Sequence, residues 1–272
     1  MSQMKKVVLV TGASSGIGQA VVKALLNCGY VVYGTSRNFE TGSAIGRLNA
    51  IKMDVRNESE VQKGINHIIK MEGQLDAVVN NAGLGLIGPL ENTSDSLARE
   101  IFDTNVFGVL NVCRACIPHL RKRNGSYIIN ITSLAAQIGL PFRGIYSASK
   151  FAVEGFTESL SQEVSQFGIK VVLVEPGDFR TNINQNRKVV EVVDAVYGSQ
   201  CSNTLEQVKS EVADAPTPEA IGIRIVSILN MDKPALRYRV ASFKHILSIM
   251  LMKALPGRWF EGLVMRHYKL NR

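Results

Sequence analysis

The chain has 272 residues, 46% of them hydrophobic and 20% charged, with 31 basic side chains against 23 acidic ones. That size and balance allow a sizeable buried core, and they exclude a disordered or collagen-like chain; four cysteines are too few for a disulfide framework. No apolar run approaches the roughly 20 residues that cross a bilayer, and Val7–Val10 is too short for a signal-peptide core, so a reducing, cytoplasmic setting is expected.

Strands are predicted at Lys6–Val10, Tyr30–Thr35, Ala50–Val55, Asp76–Asn80, Tyr127–Ile131, Lys170–Glu175 and, more briefly, Arg237–Val240. Several are almost continuously apolar, as strands covered on both faces are. Helical patterns fill the intervals at Gly18–Asn27, Glu58–Lys70, Asp95–Arg121 and Ser147–Gln166. The alternation predicts an α/β fold: a Rossmann-type doubly wound parallel sheet of about seven strands, helices on both faces, in a single domain over 1–272. Residues 182–218 are polar, end in Ala215-Pro216-Thr217-Pro218 and interrupt the alternation after a strand end, where insertions often cover a site; a substrate lid is expected there. From Arg237 onward eight basic residues face one acid, Glu261, so nearly all of the net charge of +8 sits in this last segment. The rest is close to neutral, which argues against a nucleic-acid partner. The extension over about 243–272 also carries Ile246, Leu247, Met250, Trp259 and Phe260. Such a segment either packs on the domain or makes peripheral contact with an anionic membrane.

Directly after the first strand comes Thr11-Gly12-Ala13-Ser14-Ser15-Gly16-Ile17-Gly18, opening a helix. Glycines there let the backbone approach a pyrophosphate, whose charge is favoured at a helix N-terminus. The end of the second strand reads Gly34-Thr35-Ser36-Arg37-Asn38, with no acid to accept from a ribose 2′-hydroxyl. Ser36 can donate to a 2′-phosphate and Arg37 can pair with it, so NADP(H) is expected over NAD(H).

Tyr146 and Lys150 stand four residues apart, on one face of a predicted helix. Such a pair is common by chance, and its context makes it informative: Ser133 lies thirteen residues earlier at the end of a strand, and Asn105 lies inside the long helix before it. Together these residues resemble the short-chain dehydrogenase/reductase family, in its branch of roughly 250 residues. Thr11–Gly18 resembles the TGxxxGxG turn, Asn80-Asn81-Ala82-Gly83 the NNAG stretch, and Asn105, Ser133, Tyr146 and Lys150 the Asn-Ser-Tyr-Lys tetrad. Asp54-Val55 resembles the adenine-side contact, and Pro176-Gly177-Asp178-Phe179-Arg180-Thr181 the PGxxxT segment beside the nicotinamide.

The resemblance implies a dehydrogenase/reductase acting on CH–OH. Hydride transfer to a carbonyl leaves charge on oxygen that needs a proton and donors. Tyr146 would supply that proton, with the Lys150 ammonium favouring its phenolate. The resemblance further implies that Lys150 also bonds the nicotinamide ribose, that Ser133 holds the substrate oxygen, and that Asn105 positions a water. The implied cofactor residues are Gly12, Ser14, Ser15, Gly16, Ile17, Gly18, Ser36, Arg37, Asp54, Val55, Asn81, Ala82, Gly83, Tyr146, Lys150, Pro176, Gly177, Phe179 and Thr181. No metal site is expected: Cys113 and Cys116 lie late in an apolar helix, where buried thiols are the better reading.

The stretches Leu84–Leu90 and Ile138–Phe142, with Phe179, offer little to a charged or sugar-like substrate. An apolar pocket with one polar focus is expected, suiting a small hydrophobic carbonyl or alcohol of steroid-like or long-chain lipid type. The alternatives are a catalytically silent NADP(H)-binding sensor or a membrane-surface scaffold. Family resemblance implies a homodimer or homotetramer built through the helices around Asp95–Arg121 and Ser147–Gln166.

Overall fold

The computed structural model describes residues 5–42, 44–181, 187–190 and 195–270. Its strands fall where the apolar runs place them, shifted by up to three residues at their ends. They are β1 (Val7–Thr11), β2 (Val31–Ser36), β4 (Leu48–Lys52), β5 (Ala77–Asn80), β7 (Tyr127–Ile131), β8 (Lys170–Pro176) and β10 (Arg237–Val240). All seven run parallel in the order β10-β8-β7-β5-β1-β2-β4, and a two-residue β3 (Ala44–Ile45) pairs antiparallel on the edge of β4. The order reverses at β1, which pairs with β2 on one side and β5 on the other. In an open parallel sheet the crevice beyond the strand ends at such a point is where ligands bind.

The period-two geometry of a strand divides the core into two layers. Val7 and Leu9 face one side with Val78 and Ile128, packing on α2 (Glu58–Glu72), α4 (Gly108–Leu120) and α5 (Gly144–Glu163) through Val61, Ile65, Val112, Cys116 and Val153. Val8 and Val10 face the other with Val79, Ile129 and Val172, against Val21 and Leu25 of α1 (Gly16–Asn27). Ile221, Ile225 and Ile228 close this second layer from a helix at Glu219–Leu229. Each such side chain, fully buried, contributes roughly 1.5–3 kcal/mol.

The long helix expected over Asp95–Arg121 is not continuous. It is α3 (Asp95–Phe102), then one π-helical turn at Asp103–Phe107, then α4. The wide turn carries Asn105, whose Nδ2 donates to the Leu84 carbonyl at 2.9 Å and whose Oδ1 accepts from Leu84 N–H at 2.7 Å. A side chain that bonds outside the helix at this point is a physical reason for the break.

The expected lid is not simply a polar loop. It contains β9 (Lys188–Val189), paired in parallel with β6 (Leu86–Ile87), and the helix α6 (Ala195–Asp214); α7 is the helix Glu219–Leu229. Residues 182–186 and 191–194 of that segment lie outside the described residues, as do 271–272 of the tail. The rest of the tail forms α8 (Phe243–Ala254) and α9 (Gly257–His267). Tyr268 after α9 is buried against Ile87 and Val208, while Phe243, Met250 and Trp259 are 78%, 62% and 71% exposed. Among the described residues no helix is long and apolar enough to cross a membrane. Cys113 and Cys116 are buried in α4, and burial pushes the Cys113 thiol up to about 12.

Candidate active site

A cleft of about 540 Å³ opens beyond the C-terminal ends of β1, β2 and β4. Its floor is the glycine turn. A Cβ on Gly12 would lie 2.9 Å from the Ala82 Cα, and one on Gly18 would lie 2.2 Å from the Gly12 carbonyl oxygen, so neither position accepts a side chain. Thr11 Oγ1 accepts from the N–H groups of Asn81 and Ala82 at 3.0 Å each. Asn81 Nδ2 donates back to the Thr11 and Gly12 carbonyls, tying the NNAG stretch to the turn. Helix α1 starts with no side-chain cap at Ser15 and no acid in its first turn, which leaves its free N–H groups to a bound anion.

At the far end the cleft is walled by Ser36, Arg37 and Asn38 after β2 and by Asp54, Val55 and Arg56 after β4. Ser36 Oγ accepts from Asn38 N–H at 3.2 Å and keeps its own proton to donate. The Arg56 Nε reaches both Asp54 oxygens at 3.0 Å and holds that carboxyl below its usual range. Arg56 was missed by motif reasoning. Its only signals are that it follows Asp54-Val55 and precedes Asn57, the residue that caps α2 by accepting from Ser59 and Glu60 N–H. The glycine cradle and the uncapped helix start together fit the pyrophosphate of a dinucleotide.

At the inner end the four tetrad residues converge. Lys150 Nζ donates to the Ile131 carbonyl at 3.2 Å and lies 6.0 Å from the centre of the Tyr146 ring. Asn105 Nδ2 also donates to Ser149 Oγ at 3.0 Å, and a Cβ placed on Gly83 would lie 3.2 Å from Asn105 Oδ1 and 3.6 Å from Lys150 Nζ. Ser133 begins the single helical turn Leu134–Ala136, its Oγ accepting from Ala135 N–H at 3.1 Å. Burial pushes the Tyr146 phenol up; a hydrogen bond from Ser133 and the charges of Arg143 and Arg187 pull it back, while Asp178 opposes them. Burial likewise brings the Lys150 ammonium down to about 8. A phenol so placed, with a hydroxyl beside it and an ammonium one turn on, can pass a proton to or from a carbonyl oxygen.

Of the residues singled out in the sequence, Gly12, Ser14, Ser15, Gly16, Ile17, Ser36, Arg37, Asp54, Val55, Asn81, Ala82, Gly83, Tyr146, Lys150 and Thr181 line the cleft. Gly18 lies beneath the turn rather than on the wall. Pro176, Gly177 and Phe179 line a smaller side pocket, about 80 Å³, that continues from the cleft past Tyr146 and Ser133. Its wall departs from the apolar one expected. Ile17, Leu86, Phe179 and Val212 share it with Arg143, Asp178 and Arg187. Leu90 points away and is exposed, and Ile87 and Leu140 pack with Tyr268 instead. Nothing in the local sequence marks Arg143 or Arg187 for the pocket, since β9 and the tail bring their neighbours from distant parts of the chain.

Comparison with known proteins agrees with this fold. The profile described as short chain dehydrogenase matches residues 6–191. The chain is 37% identical over 268 residues to a 3-ketodihydrosphingosine reductase of Bacteroides thetaiotaomicron, covering 98% of this chain and 99% of that one. A short-chain dehydrogenase from Streptomyces avermitilis superposes with a TM-score of 0.82 at 31% identity, covering 98% of each chain. A short chain dehydrogenase from Burkholderia cenocepacia, solved in complex with NADP, gives 0.75 at 26% identity, over 97% of this chain and 98% of that one.

Proposed function

The chain belongs to the short-chain dehydrogenase family, and on that premise we propose that it interconverts a hydrophobic ketone and its secondary alcohol with NADP(H) in preference to NAD(H). That it is an oxidoreductase acting on CH–OH with a nicotinamide dinucleotide follows from the family itself. The observation that carries the finer reading is the meeting, in one cleft, of Tyr146 and Lys150 at its inner end with an acid-free Ser36-Arg37 wall at its outer end.

When bound, the dinucleotide supplies or accepts the hydride. Gly12–Ile17 and the start of α1 would hold its pyrophosphate, Ser36 and Arg37 its 2′-phosphate, and Asn81–Gly83 and Thr181 its inner half. Tyr146 then gives its phenolic proton to the carbonyl oxygen during reduction and takes it back during oxidation. Ser133 donates to the same oxygen. Lys150 would hold the ribose and favour the phenolate, and Asn105, fixed to Leu84 and Ser149, keeps this end of the cleft in register.

For the substrate, the mixed wall of the side pocket supports a lipid ketone whose polar groups stand near the carbonyl. The full-length likeness to a reductase named for 3-ketodihydrosphingosine supports a long chain in particular. Residues 182–218 are read as the cover of this pocket, since α6 contributes Val212 to its wall. The protein is read further as a cytoplasmic homodimer; exposed Phe107 and Phe151 on the helices named above support self-association there. Peripheral membrane contact is supported by the tail. Phe243, Leu247 and Met250 stand at i, i+4, i+7 along α8, and Trp259 and Leu263 at i, i+4 along α9, all exposed among Lys244, Lys253, Arg258 and Arg266.

The test is an NADPH-oxidation panel of a long-chain 3-keto amine, a steroid ketone, retinal and small polar carbonyls, with Tyr146→Phe as control. Turnover is expected on a lipid ketone and not in the variant, which still binds NADPH. Turnover confined to the small polar carbonyls refutes the substrate class, and near-normal turnover in Tyr146→Phe refutes the mechanism.

A further inference from the structure

Arg143 precedes Tyr146 by three residues at the start of α5, and Ser147 N–H bonds to its carbonyl at 2.8 Å, so the two side chains leave the same first turn. Both line the side pocket. One Nη of Arg143 donates to the Tyr268 hydroxyl at 2.9 Å, while its buried Nε has no hydrogen-bond partner. Tyr268 comes from beyond α9, 125 positions along the chain, and its ring is buried against Ile87 of β6 and Val208 of α6. Burial raises the Tyr268 phenol, which keeps it a neutral partner for the guanidinium.

We propose that Arg143 is a positioning residue of the active site, a second cation that favours the phenolate of Tyr146, and that the tail residue Tyr268 holds it there. The proposal rests on the reading of Tyr146 as the proton-transfer group.

Every polar group around the phenol bears on it. The cations Arg143 and Lys150 come from the start of its own helix and Arg187 from just before β9, while the neutral hydroxyl of Ser133 comes from just after β7. Asp178, after β8, works against the cations, but His245 of α8 faces it at 3.2 Å and shares its charge. Burial alone would raise the Asp178 carboxyl; His245 and Arg143 outweigh that and hold it ionised. Glu211 of α6 is occupied by His267, 2.9 Å away. Arg143 therefore shares a small, half-buried pocket with the phenol, where its charge is stronger than at an exposed surface. The C-terminal extension, which looks peripheral in the sequence, thereby completes the electrostatics of the site through the Tyr268 hydroxyl and the His245 ring.

The test does not depend on knowing the substrate. The phenolate absorbance of the full-length protein is titrated in the near ultraviolet, with the matching Tyr146→Phe chain subtracted in each background so that only this tyrosine is read. Arg143→Gln is expected to raise the Tyr146 midpoint by about 1 pH unit. Arg143→Lys restores most of the shift, and Tyr268→Phe moves the midpoint in the same direction by less. An unchanged midpoint in Arg143→Gln, or an Arg143→Lys value equal to it, overturns the role of the cation. An unchanged midpoint in Tyr268→Phe overturns the role of the tail, and it also serves as the test if Arg143→Gln fails to fold. In alcohol oxidation with saturating NADP, the acidic limb of kcat should move with the midpoint while the KM for NADP stays put. If Tyr146→Phe retains turnover, the mechanism fails but the titration still measures the coupling, so the two failures are told apart.

Discussion

Ser36→Asp is the substitution that bears most directly on cofactor choice. Ser36 sits on the outer wall of the cleft with its oxygen already accepting from Asn38 N–H at 3.2 Å, so its proton is available to a 2′-phosphate. Replacing it removes a hydrogen bond to a charged group, worth about 1.5–3 kcal/mol. It also sets a carboxylate against a phosphate carrying nearly two charges. At about 5 Å and full solvent screening that repulsion is about 1.5 kcal/mol, and it grows as the cleft excludes water. Arg37 and Arg56 remain nearby, but the Arg56 guanidinium is already committed to Asp54. The total loss for NADPH is therefore about 3–4.5 kcal/mol, two to three decades in kcat/KM at about 1.4 kcal/mol per decade. NADH should gain about tenfold, because the new carboxylate can accept from the ribose 2′-hydroxyl. The assay compares kcat/KM for the two cofactors with one carbonyl substrate in parent and variant. A parent that already prefers NADH, or a variant whose ratio moves less than about threefold, refutes the assignment.

Lys150→Met should abolish turnover yet raise Tm at pH 7. The lysine's folded value of about 8 lies below its ordinary 10.5, so below pH 8 the fold bears the cost of a buried ammonium, and that cost fades as pH rises from 8 to 10.5. After the lost bond to Ile131 the net gain is about 1–2 kcal/mol, and a Tm increase as large at pH 10 as at pH 7 would contradict it. Arg237→Met should destabilise the fold by about 3–5 kcal/mol in denaturant melts, because Glu154 and the fully buried Glu175 both lose a cation they pair with; a loss under about 1 kcal/mol would refute that. Glu154 itself is raised from 4.5 to about 7 by burial and by Glu175, so it favours folding most below pH 4.5 and that advantage is lost as pH rises through 7. Glu154→Gln should flatten the Tm–pH curve across that window, and an unaltered curve would count against it. Full-length protein should sediment with anionic but not zwitterionic vesicles, and Phe243→Ser with Trp259→Ser should weaken this; equal binding to both vesicle types would refute the proposed basic docking face.

What the sequence made legible and what it hid divide along one physical line. The strands were readable because a parallel strand buried on both faces is mostly apolar, as Val7–Val10 of β1, Tyr127–Ile129 of β7 and Val171–Val174 of β8 are. Tyr146 and Lys150 were readable because helix geometry alone puts them on one face, and the glycine turn because only glycine fits a Cβ position 2.2 Å from a carbonyl oxygen. The π turn at Asp103–Phe107 was not readable. The apolar spacing runs through it unchanged, and what opens it is the bond between Asn105 and Leu84, 21 residues away. Arg143 reads locally as a solvated residue at a helix start. It becomes a wall of the site only because β6 and β9 pair and Tyr268 closes over them, a contact between residues 125 positions apart. In the proposed mechanism, local geometry thus sets Arg143 and Lys150 beside the group that carries the proton, whereas Arg187, Asp178 and the Tyr268 hydroxyl that holds Arg143 come from distant segments. Substitutions in α9 or at Tyr268 should therefore alter the pH dependence of turnover in a protein whose tetrad is intact, which a reading confined to the motifs does not allow.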